Sequence, residues 1–123
     1  SHSFQIFDLL QHGVANFHFA FLIQLTRYMG FAPTDNFSEE RQFFDMVSGL
    51  FVEIRPPHTY FLEPQESRIF AELMACSYEE IGNIALNSSQ RNQILIKIID
   101  YLSLHLGIRL QIKSLDVLRE LFS

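Results

Sequence analysis

The side chains of this 123-residue chain that could carry chemistry are five histidines, one cysteine, two adjacent glutamate pairs and nine lysine or arginine cations. Their spacing decides what each can do. His12, His18, His58 and His105 are scattered, with nothing resembling His-Glu-x-x-His or another metal-ligand spacing, and His2 beside Ser1 reads as tag-derived. His18 and His105 fall in helical stretches, where a hydrogen-bonded core or boundary histidine is the commoner state. Glu39-Glu40 and Glu79-Glu80 are sequence neighbours, so their carboxylates do not share a helix face and read as solvated surface. Cys76 follows an apolar run with no basic neighbour to activate it, the pattern of a buried structural thiol. A lone cysteine permits neither an internal disulfide nor a four-cysteine metal site, and it fits a reducing compartment. The five glycines are isolated, so no phosphate-cradling loop is present. The expectation is a non-catalytic chain with no metal and no cofactor.

Charge is uneven along the sequence. Residues 1–80 carry eleven acidic side chains against four basic ones, while residues 81–123 carry Arg91, Lys97, Arg109, Lys113 and Arg119 against Asp100, Asp116 and Glu120. The formal net charge is −5. A free-standing nucleic-acid binder is usually basic, because neutralising phosphates supplies most non-specific affinity. Weak DNA binding at best is expected, and the five cations at the C-terminal end are the candidate partner-binding residues. The plain alternative is that they are ordinary solvated helix and loop positions.

The elements that must position these groups are written in the hydropathy. From Gly13 to Phe31 the chain is apolar almost all round. Phe17, Phe21, Leu25 and Tyr28 recur on one side, Phe19, Leu22, Ile23 and Thr26 fill most of the rest, and Asn16, Gln24 and Arg27 leave a narrow polar strip. That pattern predicts a buried central helix ending near Met29 at Gly30 and Pro33, too short and too interrupted to span a membrane. After the acidic stretch Asp35 to Glu40, apolar runs on either side of Ser48-Gly49 predict a small β-hairpin closed by Pro56-Pro57. Pro64 opens a second helix reaching about Ala75, and Ser77 with Glu80 forms a capping box for a short helix around Ile81. Ser88 or Ser89 caps a regular helix from Gln90 to Leu106, ended by Gly107. A loop or short strand, Ile108 to Ile112, leads to a last helix capped by Ser114. The fold expected is mainly α, one domain over residues 1–123, a compact helical bundle around a central apolar helix with one small β-hairpin.

Several strings together resemble a known family. Val14-Ala15-Asn16-Phe17-His18-Phe19, Arg27-Tyr28-Met29-Gly30-Phe31-Ala32-Pro33, and Phe44-Asp45-Met46 with Gly49-Leu50-Phe51-Val52 stand in the order and spacing of the C-terminal domain of RecO. The resemblance continues through Ser89-Gln90-Arg91-Asn92 and Tyr101-Leu102-Ser103-Leu104-His105-Leu106 to the segment from Lys113 to Phe122. RecO proteins are DNA recombination and repair mediators. The resemblance implies a helical domain that follows an N-terminal OB-fold, so the chain is expected to be the C-terminal part of a longer protein whose OB-fold is absent here. It also implies scaffolding contacts to RecR and to single-stranded DNA-binding protein (SSB) during recombinase loading and strand annealing. DNA would be held mainly by the OB-fold.

One departure is informative. Many RecO proteins carry two Cys-x-x-Cys pairs in the region matching Phe31 to Pro57, and this chain has no cysteine there. A zinc-less variant is expected, its hairpin held by Phe43, Phe44, Leu50, Phe51 and Val52. No secretory leader, transmembrane run or lipidation motif is visible, and the cytoplasm is the expected location. Two other classes stay open on the residues alone: a helical protein-interaction domain unrelated to repair, and a small-ligand-binding bundle whose Phe17, Phe19 and Phe21 line a cavity.

Overall fold

The computed structural model describes residues 15–107. The segments predicted before and after them, with Arg109, Lys113 and Arg119, lie outside the described residues.

Helix α1 (Ala15–Met29) ends as the sequence predicts. Gly30 takes a left-handed φ of 91°, Phe31 N–H reaches back to Thr26 O at 3.0 Å and Gly30 N–H to Arg27 O at 3.3 Å, the paired bonds of a Schellman stop. Its burial departs from the expectation of a helix enclosed on all sides. Asn16, Phe19, Leu22, Ile23 and Thr26 form one buried stripe, while Phe17, Tyr28 and Met29 face solvent. Asn16, read as part of the polar strip, is interior: its Nδ2 donates to Ile81 O at 2.7 Å and to Ile84 O at 3.0 Å. These two bonds satisfy carbonyls at the end of a neighbouring helix and offset the cost of burying the amide, whose Oδ1 has no partner among the described residues.

Strands β1 (Phe43–Asp45) and β2 (Leu50–Val52) form the predicted hairpin, with Phe43 opposite Val52 and Asp45 opposite Leu50. The four-residue turn is set by Asp45, whose carbonyl accepts from Gly49 N–H at 2.8 Å and whose Oδ1 accepts from Val47 N–H at 2.9 Å. Gly49 supplies the left-handed φ of 74° that the turn requires. A third strand, β3 (Phe61–Leu62), was not expected: the sheet runs β2-β1-β3, all antiparallel. Two residues carry too little alternation to read as a strand, so the single hairpin predicted is corrected to a three-stranded sheet.

Helix α2 (Pro64–Ala75) starts with Pro64 in its first turn, and the Glu63 N–H donates to Glu66 Oε1 at 3.2 Å. Helix α3 (Tyr78–Ile81) carries the predicted box, Ser77 Oγ accepting from Glu80 N–H and Glu80 Oε1 accepting from Ser77 N–H, both at 3.3 Å. Helix α4 (Ser88–Leu106) is capped one residue earlier than predicted, by Asn87. Its Oδ1 takes Gln90 N–H at 2.8 Å and Gln90 Oε1 returns to Asn87 N–H at 3.0 Å, which moves both predicted serines inside the helix. Gly107, φ 70°, ends it as expected.

The core forms where the sheet meets α2 and α4. Phe44 is fully buried, with its ring centroid 5.0 Å from Phe51, 4.8 Å from Phe70 and 5.6 Å from Tyr101. A void of about 10 Å³ among Phe44, Met46, Phe70 and Ile98 is no larger than a single water site, so this interior is filled by side chains. Phe19 joins the core, Phe21 is half-buried against it and Phe17 is exposed, so the three rings do not line one cavity.

Candidate partner-binding surface

The described candidates sit on α4. Arg91 and Lys97 are six positions apart, which at about 100° per residue puts them on different faces of the helix. Arg91 is half-buried at the N-terminal end, where its Nη1 donates to Leu86 O at 2.8 Å and ties the α3–α4 connection to the helix. Lys97 is also half-buried, and it lines an open groove of about 660 Å³ between α4 and the start of α2. Glu63, Pro64, Gln65 and Glu66 form one wall, and Gln93 and Ile96 stand with Lys97 on the other. The groove continues past Arg68, Ile69, Gln90 and Ile94.

Electrostatics in this groove follow from what its carboxylates already do. Glu63 holds the Arg55 guanidinium through two hydrogen bonds, one of them Nη2 to Oε2 at 3.1 Å, and Glu66 caps α2. Lys97 is the cation beside exposed Ile96, and Arg68 lines the continuation of the groove. Arg68 escaped the sequence reading because it lies in the acidic half of the chain, one helical turn after Pro64, and only the fold sets it across from α4.

The other chemistry-bearing residues are placed as follows. His105 Nε2 lies 2.7 Å from Met46 O, with its ring stacked on Phe31 at 5.2 Å and 4.5 Å from the Tyr101 ring, a boundary histidine with a hydrogen bond. His58 is paired by the fold: its Nε2 is 3.1 Å from Asp45 Oδ1 and its Nδ1 accepts Tyr60 N–H at 3.0 Å, which fixes the proton on Nε2. Cys76 is half-buried, a correction to full burial, and desolvation followed by the charges of Glu80 and Glu72 pushes its thiol pKa up. That keeps it protonated and a poor nucleophile. Tyr101 donates to Phe31 O, and burial raises its phenol to about 12. Among the described residues no group of three His, Cys, Asp or Glu side chains is placed to hold a metal ion.

Segment 31–57 has no cysteine with which to hold zinc, and the residues present close it in another way. Phe44, Phe51 and Met46 enter the core, whereas Leu50 is exposed and Phe43 and Val52 are only half-buried, so two of the five predicted apolar contacts carry the hairpin. Asn36 clamps the free edge of β2, accepting Phe51 N–H at 2.9 Å and donating to Phe51 O at 3.0 Å. Thr34 N–H adds a bond to Gly49 O at 2.8 Å.

Fold and surface together define a mainly helical domain with a three-stranded sheet laid against two of its helices and open grooves between elements. The chain belongs to the family Recombination protein O C terminal, which matches residues 2–116. The DNA repair protein RecO of Azobacteroides pseudotrichonymphae is 35% identical over 120 residues, covering 98% of this chain and 50% of that protein. That of Phocaeicola vulgatus is 38% identical over 122 residues, covering 99% and 51%, and that of Flavobacterium psychrophilum 40% over 112 residues, covering 89% and 45%. The chain spans about half the length of the curated relatives it matches. No solved structure matches it. No helix among the described residues is long and apolar enough to cross a membrane.

Proposed function

We propose that this domain serves DNA recombination and repair as the C-terminal half of a cytoplasmic, non-catalytic mediator. In that role it scaffolds contacts to SSB and RecR during recombinase loading and strand annealing, and DNA is gripped mainly by an N-terminal OB-fold. The family match over residues 2–116 carries the proposal. The uneven charge of the chain supports it further, because an acidic SSB tail ending in Phe seeks apolar surface rimmed by Arg or Lys. Lys97 beside Ile96, with Arg91, Arg109, Lys113 and Arg119, are the residues proposed to meet that tail.

Fluorescence anisotropy with a labelled SSB tail peptide tests this. Saturable binding is expected, lost when the terminal Phe is removed, and weakened about tenfold or more by Lys97→Glu or Lys113→Glu. Melting temperature should be unchanged in both variants. Affinity indifferent to these reversals would remove the basic end from the proposal, and absence of binding would remove SSB.

A further inference from the structure

We propose that the outer face of the three-stranded sheet is a second docking surface, for a protein segment with an apolar centre flanked by lysine or arginine. Phe44, Phe51 and Leu62 turn inward and are 2% exposed or less. Strand geometry therefore puts Phe43, Asp45, Leu50, Val52 and Phe61 on the opposite face. A sheet with one wet face normally alternates apolar and polar residues. Here four of those five positions are apolar, so the alternation is missing on the side that meets solvent.

The chain covers part of this face itself. The Arg55 guanidinium lies over Phe43 and Phe61, 5.3 and 5.4 Å from their ring centroids, and Glu63 holds it there. The remainder is open at Leu50, 39% exposed, and the chain just before and after β2 adds Val47, 52% exposed in the hairpin turn, and Ile54, 79% exposed two residues past the strand. Four of the eight exposed large hydrophobics described, these three and Tyr60, fall between residues 47 and 60. Such clustering on a surface marks an interaction site more often than scattered single residues do.

Charge selects the occupant. Residues 35–63 hold Asp35, Glu39, Glu40, Asp45, Glu53 and Glu63 against Arg41 and Arg55, and once the Arg55–Glu63 pair is set aside five carboxylates stand against Arg41. Phosphates would be repelled, which disfavours a nucleic acid, and a second copy would bring the same net negative charge. A cationic segment is complementary. Asn36 already fills the β2 edge at Phe51, and the other edge strand, β3, is only two residues long, so the contact is side chains on a sheet face and not an added strand. The partner is opposite in charge to the acidic tail considered above, so the two proposals fail separately.

The test is NMR shift mapping on the 123-residue chain with two synthetic peptides sharing an Ile-Val-Phe centre, one flanked by lysines and one by glutamates. The lysine peptide should move the amides of Val47, Leu50, Val52 and Ile54, and the glutamate peptide should leave them in place. Replacing Leu50 and Ile54 together by Ser, at exposed positions that leave the fold intact, should weaken the lysine peptide about tenfold. Equal response to both peptides, perturbation confined to other elements, or concentration-dependent self-association through these amides would each overturn the proposal.

Discussion

At the scale of single residues, buried hydroxyls do what backbone pairing alone does not. Ser67 has no exposed surface, and its Oγ accepts Phe44 N–H at 3.0 Å while donating to Leu62 O at 3.1 Å. One side chain of α2 thus completes the link between β1 and β3. Ser67→Ala strands a donor and an acceptor together, and the expected loss is about 2–3 kcal/mol in chemical denaturation. Cys at the same position, weakly able to bond, should recover part of it. Tyr101 makes a pH prediction whose sign follows from its burial. Below pH 10 the phenol is neutral in folded and unfolded chains alike, and stability is independent of it. From there to about 12 the unfolded chain releases the proton while the folded chain keeps it, so stability falls as pH rises, by roughly 2 kcal/mol. Tyr101→Phe should remove that alkaline slope when the two unfolding curves are compared, at the cost of the bond to Phe31 O.

At the scale of elements, most boundaries were legible because local chemistry decides them. Pro64, the Ser77–Glu80 box, Gly30 and Gly107 each act within one turn of their own position, and each sits where the sequence predicts. The α4 cap shows how fine the margin is. Asn87, Ser88 and Ser89 are all competent, and Asn87 prevails because Gln90, three residues on, can return its amide oxygen to the Asn87 N–H. Asn87→Ala should therefore lower stability by about 1 kcal/mol, whereas Ser88→Ala should change it by a few tenths, as thermal melts would register. What stayed hidden depends on distant partners. Strand β3 exists only because β1 offers an edge, and Asn16 is interior only because α3 ends beside it. The groove joining Lys97 to Arg68 needs α2 and α4 side by side, and no local pattern announces that.

At the scale of the molecule, charge is divided between two stretches of the chain. The stretch that forms the sheet, residues 35–63, is net acidic and holds exposed Val47, Leu50 and Ile54, while the cations nominated for the SSB tail follow in the sequence from Arg91 onward. If the division is functional, the acidic tail peptide and the lysine-flanked peptide should bind at once, neither displacing the other in a competition titration. Electrostatics also fixes how each responds to salt. Both contacts set exposed charges against a charged peptide, and the screening length shrinks from about 30 Å at 0.01 M salt to about 8 Å at 0.15 M. Each affinity should fall over that range. The lysine-flanked peptide should retain more of its binding, because Val47, Leu50 and Ile54 supply apolar contact that salt does not screen. Mutual displacement of the two peptides in the titration would mean a single site of mixed character and would remove the division between the two contacts.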